Sequence, residues 1–236
     1  MIIHTSLNSF WNISLQRRKY HTVGETISTK YPIKDNKEEL ISVSKLFKEH
    51  NIPLFYNPPE EIKNIKQDFL LRTTAAQLLL KAAKMLPKNM YLLVSEGYRP
   101  LWFQKREFDR IFSEMLAKFP KKSRHAVWEM TTMYIADPKL SPPHSSGGTL
   151  DLTICDKNGN PIDMGNPMNS VSQKSNTFTR QINTVQKENR MLLFKTLSQC
   201  DFVNIPSEWW HYSHGDQYWA LFNKHPYAKY GPVDAK

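Results

Sequence analysis

Between residues 73 and 86 apolar side chains recur at Ala75, Leu79, Ala82, Ala83 and Leu86. A spacing of three and four residues lines one face of an α-helix. Thr73 or Thr74 is available to cap that helix, and Pro87, which has no amide hydrogen, to stop it. After Pro100 the stripe Leu101, Phe108, Ile111, Phe112, Met115 and Phe119 predicts a second, longer helix. Further helices are expected over about 123–134, over 189–199 with Leu192, Leu193 and Leu197 inside, and around Trp219 to Phe222. Upstream, Leu40, Val43, Leu46 and Phe47 predict a helix from Asn36, with Asp35 or Asn36 as its N-cap.

Strand signals alternate with these helices. The short apolar run 90–94 lies between Pro87-Lys88-Asn89 and Gly97 and fits a buried strand, while 149–154 alternates with period two. Asn158-Gly159 reads as a hairpin turn leading to Ile162 and Met164. Residues 202–205 and 209–212 are strand candidates, and the polar stretch 166–179 is expected to be a surface loop. Asn57-Pro58-Pro59 marks a loop, as do Pro138, Pro142, Pro143, Gly147 and Gly148 around His144. Short strands interleaved with helices and a local hairpin predict one α+β domain over 36–236, a mostly antiparallel sheet flanked by helices. Residues 1–35 show no sustained period and are expected to form an N-terminal arm or irregular lead-in.

Composition narrows the class. With 236 residues, 40% hydrophobic and 23% charged, and only 8 Gly and 15 Pro, the chain is neither collagen-like nor disordered and is long enough to bury a core. No apolar run approaches the ~18 residues a bilayer-spanning helix needs, so no membrane span is expected. Cys155 and Cys200 lie outside any CxxC or Cys/His run and read as buried thiols. The start MIIHTSLNSFWNISLQRRKYH lacks the uninterrupted apolar stretch of a signal peptide, because Asn8, Asn12 and Gln16 break it; a cytoplasmic location is the expectation. The net charge of +10 raises nucleic acid as a partner. The dense basic clusters are only Arg17-Arg18-Lys19 and Lys121-Lys122, with no reading module beside them, and nucleic-acid binding is not expected.

Three segments carry candidate chemistry. His144 and Asp151 sit on a Gly-rich loop and the strand it enters, and Glu208-Trp-Trp-His211 adds a second imidazole and a second carboxylate. Two His and one Asp leave a metal such as zinc a fourth position for water, and the spare Glu can take that water's proton. Taken singly these spacings are weak, and Trp209 and Trp210 alone read as core. His4, His21, His50, His125 and His225 lack an acidic partner in a structured motif and read as surface or helix-face residues, whereas His214 is a candidate for a supporting or substrate contact. Ser95-Glu96-Gly97-Tyr98-Arg99-Pro100 ends the buried strand, so that Arg99 projects from a rigid exit, either as a structural ion pair with Glu96 or as an oxyanion partner.

Taken together, EGYRP, the H-x-x-G-x-x-x-D segment and E-W-W-H resemble the zinc D-alanyl-D-alanine dipeptidases, the VanX-like branch of the M15 peptidases, from about residue 65 to 232. The likeness extends into Asp163-Met164-Gly165, Asn189-Arg190-Met191-Leu192-Leu193, the segment from His211 to Asp216, and Tyr230-Gly231-Pro232. It implies an M15/Hedgehog-like zinc peptidase fold and one Zn2+ per chain on His144, Asp151 and His211. It further implies Glu208 as the catalytic base, Arg99 as transition-state stabiliser, and substrate contacts at Asn169, Trp210 and His214. The implied substrate is a small D-amino-acid peptide of peptidoglycan origin. Two departures bear on specificity: Pro142 stands where the family commonly has Ser, and Met168-Asn169 where it commonly has Phe-Asp. A neutral Asn169 loses the charge that would face a substrate ammonium. The alternative is therefore a D,D-carboxypeptidase or cell-wall endopeptidase acting on longer stem peptides. A different class, a catalytically silent zinc fold binding anionic polymers, is disfavoured by the presence of both Glu208 and Arg99.

Overall fold

Residues 30–65, 68–132, 134–170 and 172–234 are described in the computed structural model of the chain. In chain order the elements are β1 (Leu40–Ser42), α1 (Val43–Glu49), β2 (Leu54–Tyr56), α2 (Glu60–Asn64), β3 (Leu70–Arg72), α3 (Thr73–Lys84), β4 (Tyr91–Glu96), α4 (Leu101–Lys118) and α5 (Arg124–Thr132). There follow β5 (Thr149–Cys155), α6 (Thr184–Ser198), β6 (Val203–Asn204), β7 (His211–Ser213) and α7 (Gln217–Phe222). Short 3-10 turns lie at Pro138–Leu140, Pro143–Ser146 and Gln173–Ser175. The main sheet runs β2-β4-β5-β7-β6, with β2 and β4 parallel and the other pairs antiparallel; β1 and β3 pair apart from it. The fold is thus the mixed α+β arrangement with a mostly antiparallel sheet that the patterning predicts.

Strand β5 organises the molecule. All seven of its residues are buried. Leu150, Leu152 and Ile154 point into the main core with Leu92, Val94 and Tyr212 of the neighbouring strands, and α1, α3 and α6 add Phe47, Leu79 and Leu193. Each such aliphatic side chain removed from water contributes ~1.5–3 kcal/mol. The period of two then turns Asp151 to the opposite face, away from this core. Helices α4 and α5 pack mainly on each other through a separate cluster of Phe108, Phe112 and Val127. Cys155 and Cys200 are buried and unpaired, as expected.

Several local expectations are corrected by long-range contacts. The helix expected from Asn36 begins only at Val43, and its cap is Ser42, whose hydroxyl accepts from Lys45 N. Leu40 to Ser42 instead pair antiparallel with Leu70 to Arg72, thirty residues on, a partner no local pattern reveals. Neither Thr73 nor Thr74 caps α3; the cap position is Arg72, and the Glu38 carboxylate accepts from Thr74 N at 3.2 Å and Thr74 Oγ1 at 2.6 Å. Helix α6 starts at Thr184 rather than 189, because Asn183 and Gln186 form a reciprocal capping box. The 166–179 stretch is not a surface loop throughout: Ser175, Thr177, Phe178 and Thr179 are buried, and Arg190, only 1% exposed, binds the carbonyls of Lys174 and Asn176. The second arm of the hairpin after Asn158-Gly159 reduces to one bridge, Cys155 to Pro161. Most of the expected arm, residues 1–29, lies outside the described residues. Ile33 bridges to Ala228.

Candidate active site

The site forms where three adjacent strands carry polar residues at one level. Asp151 on β5 is in register with Glu96 on β4 and with His211 on β7. A register shift between Val94 and Glu96 marks a bulge at the end of β4, the kind of irregularity that re-aims a side chain. His144 arrives from the 3-10 turn before β5, and Glu208 lies in the turn between β6 and β7.

His144, Asp151 and His211 are 7%, 5% and 5% exposed, and one donor atom from each lies within 4.8 Å of the others. Asp151 Oδ1 stands 3.0 Å from His211 Nδ1 and 3.6 Å from His144 Nε2. Tetrahedral coordination at about 2.0–2.2 Å implies ligand separations of about 3.4 Å. Asp151 Oδ1 is nevertheless buried without a hydrogen bond, so these atoms approach one another without the alignment of one. An orphaned carboxylate oxygen between two imidazole nitrogens is a place that could hold a cation. His144 Nδ1–H donates to Gly97 O at 2.9 Å, which fixes the tautomer and turns Nε2 toward Asp151. The rings of His144 and His211 meet edge to face, centroids 5.0 Å apart. The electrostatics agree. Burial alone would raise the Asp151 carboxyl, yet the His144 and His211 imidazoles outweigh it and hold the group far below the usual carboxylate range. Burial lowers His211, but Asp151, Glu208 and Asp216 more than compensate and raise it to about 9.

Two charged groups border the cluster. Glu208 Oε2 is 3.6 Å from His211 Nδ1, and its side chain is 43% exposed, so this carboxylate faces water. Arg99 is gripped from one side: Nε and Nη2 donate to the two oxygens of Glu96, each at 2.5 Å, and Nη1 donates to Gln104 Oε1 at 2.7 Å. Glu96 is 3% exposed. Burial disfavours the Arg99 cation, but Glu96 above all, with Asp151 and Glu107, raises its pKa further. The sequence reading missed Gln104, whose Nε2 also donates to Ala136 O at 2.7 Å. A polar residue set between Phe103 and Phe108 on the buried side of α4 was the available signal.

The three residues expected to contact substrate lie in different surroundings. Asn169 is exposed, with φ +59°. Its loop is tied down by Asn166, whose side-chain oxygen accepts from Arg190 and Trp209. Trp210 is 3% exposed within the main core. His214, 1% exposed, approaches the Asp201 carbonyl and carboxylate through Nδ1 and packs against Phe202, Trp219 and Tyr230. Of the three, only Asn169 has open surface. His50 and His125 are exposed, and His225 stacks on Trp219; His4 and His21 lie outside the described residues.

Two imidazoles and a carboxylate beside a partly exposed Glu and an oriented Arg are the side-chain kit that metal-dependent hydrolases use. Residues 38–230 match the M15 peptidase family, described as D-ala-D-ala dipeptidase, and the chain belongs to that family. It is 30% identical over 200 residues to a D-alanyl-D-alanine dipeptidase of Synechocystis sp., covering 72% of this chain and 81% of that one. It is 26% identical over 181 residues to the Escherichia coli D-alanyl-D-alanine dipeptidase, covering 74% and 83% respectively. Over 154 residues it is 27% identical to the Enterococcus faecalis D-alanyl-D-alanine dipeptidase, covering 61% and 72%. Among the described residues no helix is long and apolar enough to cross a membrane.

Proposed function

We propose that this chain is a zinc-dependent dipeptidase that hydrolyses D-alanyl-D-alanine or a closely related D-amino-acid peptide. In this reading His144, Asp151 and His211 hold one Zn2+, Glu208 is the general base, and Arg99 meets the oxyanion. The observation that carries it is the convergence of three buried donor atoms to within 4.8 Å beside a half-exposed carboxylate. Two nitrogens and one oxygen suit Zn2+, whereas Mg2+ and Ca2+ favour all-oxygen sites. Zn2+ bound there supplies polarisation of the scissile carbonyl and lowers the pKa of water in the open position from 15.7 to about 7.

The residues of the chain do the rest. Glu208 takes the proton of the attacking water and returns it to the leaving amine, which requires the solvent-facing position it occupies. Arg99 has five N–H donors, three of them engaged by Glu96 and Gln104, and the two that remain meet the oxygen on which charge develops. Glu96 balances the guanidinium charge, so Arg99 acts through directed hydrogen bonds rather than through net attraction. Asn169 offers a neutral acceptor to the substrate's ammonium, about half as strong as a carboxylate would be.

The test is zinc content of the full chain together with D-Ala release from free D-Ala-D-Ala, from its N-acetyl form and from a pentapeptide stem. About one zinc per chain and chelator-sensitive cleavage of the free dipeptide are expected. Cleavage of the stem alone would shift the assignment to a D,D-carboxypeptidase, and no bound metal would remove it.

A further inference from the structure

The loop that delivers His144 has neither helix nor long strand to hold it. It is a 3-10 turn, Pro143–Ser146, entered from Pro142 and left through Gly147 at φ +74°. Its position is therefore set by what its carbonyls bind, and each one from 144 to 148 is used. His144 O accepts from Arg99 N at 3.2 Å, Ser145 O from Val233 N at 2.9 Å and Gly148 O from His214 N at 2.9 Å. The remaining two belong to Arg72: its side-chain Nε donates to Ser146 O at 2.9 Å and its backbone N to Gly147 O at 2.8 Å.

Arg72 does more than hold this turn. It is 2% exposed, and its other donors reach the Glu38 carbonyl, Asp35 Oδ2 at 3.2 Å and Gly231 O at 3.2 Å. Its guanidinium also lies 5.3 Å from the centre of the Tyr230 ring. One buried cation thus joins the segment before β1, the end of β3, the metal-ligand turn and the C-terminal stretch. A buried guanidinium needs a counter-charge. Asp35 supplies it, from three residues before the family match begins.

We propose that Arg72 is a positioning residue for the metal site: charge-balanced by Asp35, it fixes the turn Pro143–Ser146 and hence the direction of His144 Nε2. The inference rests on the reading of His144, Asp151 and His211 as metal ligands, and it predicts that a contact remote from the ion governs how tightly the ion is held. Partners of this kind typically contribute 10–100-fold to metal affinity.

The experiment measures the Zn2+ dissociation constant of full-length wild type, Arg72→Met, Arg72→Lys and Asp35→Asn by competition with a chromophoric chelator, on protein whose circular dichroism shows it folded. Arg72→Met is expected to weaken binding about tenfold or more. Arg72→Lys should fall between, because an ammonium keeps the charge but cannot span the same acceptors. Asp35→Asn should weaken binding by a smaller factor, and it decides the matter if Arg72→Met does not fold. A purely structural role would lower the melting temperature and leave the affinity of the folded protein untouched. Folded Arg72→Met and Asp35→Asn that bind Zn2+ as wild type does would overturn the role of Arg72 while leaving the metal site standing. A wild type that binds no Zn2+ would instead remove the site's reading, and the role of Arg72 with it.

Discussion

The Glu96–Arg99 pair sets stability and catalysis against each other in a way that a double-mutant cycle can separate. Arg99→Met leaves the Glu96 carboxylate, 3% exposed, without its bidentate partner. Removing one member of a buried pair destabilises by ~3–5 kcal/mol, because the other charge stays out of water. Glu96→Met should cost less, about 2–3 kcal/mol, since the Arg99 side chain is 19% exposed and can be partly hydrated. With both residues changed to Met no charge is stranded, and the cost falls to about 1–2 kcal/mol for the Gln104 oxygen left without a donor. The coupling is then about 3 kcal/mol or more, visible in urea midpoints at constant m-value. In a chain of this size each kcal/mol is about 2–4 °C in melting temperature. Activity should behave otherwise. Loss of one oxyanion donor lowers turnover by about 10²–10³, and Arg99→Met and the double variant should lose it equally, however different their stabilities. Stability costs that add to within ~0.5 kcal/mol would refute the argument, since they would mean that the two side chains do not act as one buried unit.

Glu208→Gln should lower kcat/KM for dipeptide cleavage by about 10²–10⁴ while zinc content by metal analysis stays at the wild-type level, because Glu208 is not among the three converging ligands. For Glu38, burial works to raise the carboxyl, but bonds from Thr74 and Tyr230 win and hold it below its ordinary value of 4.5. A depressed folded pKa contributes stability above the unfolded value and loses it as pH falls through the folded one. Thermal melts from pH 6 downward should therefore show a decline that is shallower in Glu38→Gln. Gly148→Ala should destabilise by about 3 kcal/mol in urea, since a Cβ there would drive into the His214 carbonyl and lie 2.7 Å from the Tyr230 ring; an unchanged midpoint would contradict the close packing of this loop.

The elements legible in advance were those whose signal is local. The apolar stripes of α3 and α4, the continuous run of β4 and the alternation of β5 each satisfy a period of 3.6 or 2 within one segment, and burial follows the period. The candidate groups His144, Asp151, Glu208 and His211 stand in short motifs that can be picked out by residue type, and the fold brings one donor atom from each of His144, Asp151 and His211 within 4.8 Å of the others. Strands β1, β2 and β3 were not legible, since three-residue strands have no period to read and exist through partners at distant positions. The cap of α3 escaped for the same reason: its acceptor is Glu38, thirty-six residues upstream of Thr74.

The sequence by itself thus named the donors, while the tertiary structure decided that they meet. Only the register of β4, β5 and β7 places Glu96, Asp151 and His211 side by side. Glu96 and Gln104 hold the Arg99 fork, and bonds from Arg72, Val233 and His214, distant in sequence, tie down the turn that carries His144. Residue identity fixes what a group can donate or accept, but direction and distance come from backbone pairing and burial across the whole chain, and no single segment encodes those.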